Sequence, residues 1–188
     1  MHDEQHNILI GVCGGISSYK TCELVRLCVK AGCRVKVVMT PAAARFVSPR
    51  VFRSLSGEAV FVRMFSPGEE QRTKHIGLAQ WAEACVIAPL SANTLSKLAI
   101  GICDNLLTTV MCAFPEEKKI FCAPAMNTHM WNNTVILDNT DKLFRRTQYE
   151  LLSPGRGALA CGSSGEGRMM PPEEIFHRVD EYLSGKSE

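Results

Sequence analysis

His75 to Phe114 reads HIGLAQWAEACVIAPLSANTLSKLAIGICDNLLTTVMCAF, and the middle of this stretch decides the fold. Ala84-Cys85-Val86-Ile87-Ala88 is a short apolar run without alternation, the pattern of a strand covered on both faces. Pro89 has no N–H to donate and is expected to end the ladder there. Ser91, Asn93 and Thr94 then offer small hydrogen-bonding side chains where a helix begins, and Leu95, Leu98, Ala99 and Ile102 follow at helical spacing. A buried strand feeding a helix through such a turn gathers free backbone donors and the positive helix end at one point. That point suits an anion, most often a phosphate. An ordinary capped turn is the plain alternative.

Outward from this stretch the same pattern repeats. Ile8–Cys13 reads as a first buried strand, Gly14-Gly15 and Ser17-Ser18 as its turn, and Leu24, Val25, Leu27, Cys28 and Ala31 as a helix that Gly32 closes. Val35–Met39 is a second strand, so the chain opens with a βαβ unit and a parallel sheet. The glycine turn is G-x-x-G-G, not G-x-G-x-x-G, and the second strand ends in Met39-Thr40 with no acid to hold an adenosine ribose. These features point to a mononucleotide and away from a dinucleotide.

Ser48-Pro49 opens a short helix that Gly57 ends, Glu58–Val62 is a weaker third strand, and residues 64–74 form a loop leading to His75. Asp104 is expected to cap a helix whose Leu106, Leu107, Val110, Met111 and Phe114 face inward, with Pro115 breaking it. Ile120–Ala123 is a further strand. It runs into Pro124-Ala125-Met126-Asn127-Thr128-His129-Met130-Trp131, a polar segment at a strand's C-terminal end, where ligands bind in open α/β sheets. A helix over about 133–144, a strand near Tyr149–Leu152 and a Gly/Ser-rich flap over 153–169 follow. Pro171-Pro172-Glu173-Glu174 starts a last helix, with Ile175, Phe176, Val179, Tyr182 and Leu183 at its inner spacing. The spacing predicts one α/β domain over 1–188, a parallel sheet with helices on both faces.

Composition narrows the function. Apolar residues make up 46% of the 188 and net charge is +2, which excludes a disordered chain and a nucleic-acid-binding stripe. No apolar segment approaches the ~20 residues of a membrane span, and Met1–Asn7 lacks the features of a signal peptide, so a soluble cytoplasmic protein is expected. The nine cysteines are odd in number and irregularly spaced with no C-x-x-C pair, which argues against a zinc site and against a thioredoxin motif. Cys13, Cys85 and Cys122 sit in apolar runs as small hydrophobes. Cys161, in a glycine-rich polar loop, is a candidate for chemistry.

Six segments carry a family resemblance: GGISSYK (14–20), HIGLAQWA (75–82), PLSANT (89–94), GICDNLLT (101–108), PAMNTHMW (124–131) and ACGSSGEGRM (160–169). In this order they resemble the homo-oligomeric flavin-containing cysteine decarboxylases, and within them the branch acting on phosphopantothenoylcysteine in coenzyme A biosynthesis. Ile100 departs from the pattern, which usually has a small or polar residue there. The resemblance implies a flavodoxin-like, Rossmann-like sheet, bound FMN, and trimers or assemblies of trimers whose active sites are shared between subunits. It implies that Gly15, Ser17, Thr40, Ser91, Ala92, Asn93 and Thr94 hold the FMN phosphate and ribityl chain and that Ala125 lies against the flavin. By the same matching, Asn127 binds the substrate carboxylate, His75 is the base, Cys161 is the acid, and Leu159 and Ala160 belong to the substrate flap.

The implied chemistry suits these residue types. Loss of CO2 from a cysteine leaves a carbanion with no electron sink, and oxidation of the thiol carbon by the flavin creates one. An imidazole titrates near pH 6.5, so His75 can take a proton. Neutral Asn127 can orient a carboxylate without an ion pair that would resist CO2 loss. Cys161 would then protonate the enethiol as the hydride returns, giving 4'-phosphopantetheine. Bland alternatives are a solvated loop histidine, a simple N-cap at Asn127 and a bystander Cys161; His129, Met130 and Trp131 read as packing or interface residues, and Arg145-Arg146 as a solvated face. Rival functions are a lantibiotic-type peptidyl-cysteine decarboxylase, which lacks the cysteine flap, and a phosphatase-regulating subunit of the same fold. Flavin prenyltransferases share the fold without this combination of motifs, and a plain flavodoxin electron carrier needs none of the three catalytic candidates. A length of 188 residues leaves no room for the synthetase domain fused to many bacterial relatives, so a monofunctional chain is expected.

Overall fold

The computed structural model describes residues 5–65, 74–158 and 164–185. Strand β1 (Asn7–Val12) leads through a 3-10 turn at Ile16–Tyr19 into α1 (Lys20–Lys30), then β2 (Arg34–Met39), α2 (Pro49–Ser56), β3 (Val60–Phe61) and α3 (Lys74–Trp81). The second half runs β4 (Ala84–Leu90), α4 (Ala92–Ile100), α5 (Leu106–Cys112), β5 (Ile120–Pro124), α6 (Thr128–Trp131), α7 (Thr134–Phe144) and β6 (Tyr149–Leu151). A hairpin of β7 (Gly155–Ala158) and β8 (Ser164–Arg168) precedes the closing α8 (Pro172–Ser184).

The main sheet is six-stranded and parallel, in the order β3-β2-β1-β4-β5-β6. Setting aside the two-residue β3 leaves the flavodoxin order; adding it at the edge gives the order of the dinucleotide-binding sheets. Both orders reverse direction between β1 and β4. That reversal opens a crevice beyond the strands' C-terminal ends.

Alternation along each strand separates two cores. Ile8, Ile10 and Val12 with Val86 and Ala88 face α1, α2 and α8, where Leu24, Phe52, Ile175 and Leu183 meet them. Leu9, Cys85, Ile87 and Cys122 face the opposite side, packing on Leu78, Leu95, Leu107 and Leu143. Each such fully buried aliphatic side chain contributes roughly 1.5–3 kcal/mol. Cys13, Cys85 and Cys122 are fully buried as expected, and burial pushes all three thiols up from their ordinary range.

Four local expectations are corrected. Pro89 does not end its strand: β4 continues to Leu90 across a register irregularity against β5, and the Pro89 carbonyl accepts from Cys13 N at 3.3 Å. A proline is tolerated there because the ladder is already interrupted. The cap of α5 is Asn105, whose side chain accepts from Thr108 N while Thr108 returns a bond to the Asn105 backbone; Asp104, one residue earlier, pairs with Lys97. That helix already ends at Cys112, before Pro115. Ile102 lies beyond α4 and is exposed.

Candidate active site

Three turns converge on the crevice, one after each of β1, β4 and β5. After β1, Gly15 is fully extended and a Cβ there would meet no protein atom within 4 Å. Ser18 turns inward, donating to the carbonyls of Cys13 at 2.9 Å and Gly15 at 2.5 Å, which fixes the turn and leaves Ser17 toward the open side. Thr21 ties α1 to β4 by donating to the Ala88 carbonyl at 2.6 Å.

After β4, Ser91 caps α4: its oxygen accepts from Thr94 N at 3.3 Å. The nine-residue helix then directs its positive end into the crevice. Beneath this cap, the Cys13 thiol, held up by burial, contacts Thr94 and Ser91. After β5, Ala125 N donates to the Leu90 carbonyl at 3.0 Å, which sets the two strand ends side by side. Asn127 caps α6, its Oδ1 accepting from His129 N at 2.8 Å.

The β7–β8 hairpin docks on this last turn. Met126 N donates to the Gly167 carbonyl at 3.0 Å, and Thr128 Oγ1 donates to the Glu166 carbonyl at 2.7 Å. Gly167 has φ 127°, and a Cβ on it would drive into the Met126 carbonyl oxygen. The approach demands glycine.

Together these turns enclose a cleft of about 640 Å3. Of the sequence candidates, Gly15, Ser17, Ser91, Ala92, Ala125 and Asn127 line it. Thr40, Asn93 and Thr94 do not. Thr40 and Thr94 are buried behind the turns, where Thr40 accepts from Ala43 N at 3.2 Å, whereas Asn93 points to solvent. His75 stands half-buried on the first turn of α3, off the cleft. Leu159, Ala160 and Cys161 lie outside the described residues, between the two hairpin strands.

The cleft also contains residues outside the sequence candidates. Ile16 and Tyr19, and Met130, which the sequence suggests for packing or an interface, line it while remaining 58%, 59% and 48% exposed. Lys20 and Arg168 supply its cations, and among the described residues no acid lines it. Burial, then the neighbouring Arg168, holds the Lys20 ammonium below its ordinary range, and among the described residues no carboxylate bridges either cation. Lys20 and Arg168 sit inside GGISSYK and GEGRM, so the motifs carried the signal.

A family model described as flavoprotein matches residues 1–184. The chain belongs to the flavoprotein family. It is 43% identical over 182 residues to the coenzyme A biosynthesis bifunctional protein CoaBC of Haemophilus influenzae, covering 97% of this chain and 45% of that protein. This chain thus spans about half the length of the bifunctional relatives it matches. It is 38% identical over 176 residues to a probable phosphopantothenoylcysteine decarboxylase of Streptococcus mutans, covering 94% of this chain and 98% of that one. Among solved structures, a cysteine-to-serine variant of PPC decarboxylase complexed with pantothenoylaminoethenethiol superposes with TM-score 0.84 at 31% identity, covering 96% of this chain and 100% of that chain. The FMN-binding protein AtHal3 gives 0.82 at 32% identity, covering 97% and 98%. Trp131 is buried, as a packing residue is, and Arg145-Arg146 are exposed, as a solvated face is; His129 and Met130 are exposed and do not pack among the described residues of the chain. Among the described residues no cluster could hold a metal, and no helix is long and apolar enough to cross a membrane.

Proposed function

We propose that this protein is an FMN-dependent carboxy-lyase that converts phosphopantothenoylcysteine to 4'-phosphopantetheine in coenzyme A biosynthesis. One observation carries the reading: Asn127 lines the same cleft as the phosphate-type turns at Gly15 and Ser91. The cleft fits a flavin mononucleotide. The open side of Gly15 and the start of α4 suit its phosphate, the lack of acids among the described lining residues suits its charge, and Ala92, Ala125, Met126 and Met130 offer apolar walls to a ring system. When bound, FMN supplies a hydride acceptor for the thiol-bearing carbon.

The chain's residues do the rest. Asn127 Oδ1 accepts from His129 N, and its neutral amide N–H2 is a donor of the kind that orients a carboxylate. Lys20 and Arg168 suit the phosphate at the far end of the substrate. His75 accepts a proton in the oxidative half, and Cys161 donates one to the enethiol carbon after CO2 has left. A solved relative with serine for cysteine holds an aminoethenethiol, the type of product at which a Cys161→Ser enzyme would stall.

His75 does not reach the cleft of its own chain, so a second copy supplies it, within a trimeric unit. The large apolar side chains exposed around the cleft, and Ile76 beside His75, are surfaces a second copy would cover. The deciding experiment incubates the FMN-loaded protein with phosphopantothenoylcysteine and weighs the product. Saturated 4'-phosphopantetheine is expected. Arrest of the wild type at the enethiol would favour the peptidyl-cysteine class, and no loss of CO2 would favour a regulatory subunit.

A further inference from the structure

Eight cysteines among the described residues are free thiols, and five of them (Cys13, Cys28, Cys33, Cys85 and Cys122) are core. Cys103 and Cys112 differ. Both are exposed, and both line a separate cavity of about 230 Å3 where the end of α4 and helix α5 meet the start of β6. Neither has a part in the chemistry proposed above.

The backbone brings these two sulfurs together. Cys103 Sγ donates to the carbonyls of Gly101 at 3.6 Å and Thr108 at 3.7 Å. In an α-helix the N–H of a residue bonds to the carbonyl four places earlier, so the Thr108 carbonyl is also the one to which the backbone of Cys112 is fastened. Cys103 Sγ therefore lies on the helical turn that ends in Cys112, both side chains line the same cavity, and the two thiols interact there. Thr109 Oγ1 holds the loop by donating to the Cys103 carbonyl at 3.3 Å, and Lys97 holds it from the other side through Asp104.

We propose that Cys103 and Cys112 form a dithiol modification site that closes to an intramolecular disulfide when a hydroperoxide enters this cavity. Burial, and then the adjoining Cys112, hold the Cys103 thiol above its ordinary range. Cys103 directs its proton at two backbone carbonyls, so the attack is assigned to the Cys112 sulfur. The Cys112 sulfur bonds to one peroxide oxygen, the O–O bond breaks, and water or an alcohol leaves with the proton from Cys112. The Cys103 sulfur then displaces hydroxide from the resulting sulfenic acid, its own proton leaves with that hydroxide as water, and the S–S bond forms. Two thiols lose two electrons in all, and the peroxide gains them.

Trypsin cuts after Lys97 and Lys118, so one fragment, Leu98–Lys118, contains both thiols. The folded protein is treated with hydrogen peroxide, quenched with iodoacetamide and digested without reductant. The fragment is expected to be two hydrogens lighter than its reduced form and to carry no carbamidomethyl group. Cys112→Ser should lose this species. Cys103→Ser should leave a sulfenic acid on Cys112 that dimedone traps. The site is overturned if both thiols are alkylated at a peroxide concentration that oxidises the half-buried Cys22. It is equally overturned if the disulfide forms as fast in guanidinium-unfolded chain, since the folded approach would then contribute nothing.

Discussion

The turns at Gly15, Ser91 and Asn127 come from distant parts of the chain and meet in one cleft; His75, which belongs to the same proposed reaction, does not reach it. Sheet topology explains the difference. The three turns follow β1, β4 and β5, neighbours across the point where the strand order reverses, so a single chain assembles the cradle. His75 sits on α3, which follows the edge strand β3 and packs on α5. The crevice is thus assembled within one chain, whereas the proposed role of His75 requires a second copy.

The largest expected effect separates these two parts directly. His75→Asn should leave FMN content unchanged but lower the rate of CO2 release by roughly 10²–10⁴, the usual contribution of a positioned acid or base. Asn127→Asp should be as damaging, through a carboxylate set against a carboxylate. Mixing the two variants under conditions of subunit exchange should restore part of the activity, because some sites then combine intact Asn127 with intact His75. Full activity in a demonstrably monomeric wild type would break the comparison.

A second test addresses what lies beneath the cradle. Cys13, in contact with Ser91 and Thr94, and the core thiols of Cys28, Cys85 and Cys122 are all raised by burial, with Cys33 raised to about 11. A raised folded value means that the stability is fully present below the unfolded thiol's pKa, about 8.5, and is lost as pH rises through the folded value. Each thiol then costs up to ~1.4 kcal/mol per pH unit. Melting temperature should fall steadily above about pH 8.5, and Cys85→Ala should flatten that slope even if it lowers the plateau. An unchanged slope would remove burial as its cause.

The hairpin offers a third, smaller effect. Gly167→Ala places a methyl against the Met126 carbonyl at a backbone angle that alanine disfavours, a local cost of about 1–3 kcal/mol. Hydrogen exchange in β8 should quicken and the KM for substrate should rise, while FMN affinity changes little, because the proposed phosphate turns follow β1 and β4. Equal losses of FMN and substrate would show that hairpin and cradle are one unit.

These comparisons also show what the sequence made legible. Apolar runs located β1, β2, β4 and β5, and the Ser/Asn/Thr turns located the crevice, since burial and capping leave local patterns. The cap of α5 is ambiguous by one residue in the sequence because Asp104 and Asn105 are both good caps, and only the reciprocal bond with Thr108 chooses between them. The β7–β8 hairpin was invisible because its glycines carry no alternation and its partner, the turn at Met126 and Thr128, is remote in sequence. Lys20 and Arg168 were in view as motif letters, but only the fold sets them on one cleft.

The smallest expected effect tests whether α4 transmits anything between its two ends. Ser91 caps the end in the cleft; at the other end Lys97 Nζ pairs with Asp104 at 2.5 Å. The bond from Lys97 holds the Asp104 carboxyl below its usual range. A depressed value means that the contribution is present above the unfolded pKa, near 3.9, and disappears as pH falls through the folded one. Asp104 is half-exposed, so solvent and salt screen the pair, and a gain of only ~0.2–1 kcal/mol at neutral pH is reasonable. Asp104→Asn should therefore lower the melting temperature slightly at pH 7 and not at pH 3, with the difference shrinking in 1 M salt as the Debye length falls to about 3 Å. Ser91→Ala, by contrast, should cost about 1 kcal/mol at every pH and weaken FMN binding, since the lost bond is a cap at the cofactor's end. If Asp104→Asn weakened FMN binding as much as Ser91→Ala, helix α4 would be relaying the state of its far end to the cradle, and the cradle could no longer be treated as independent of the loop that contains Cys103.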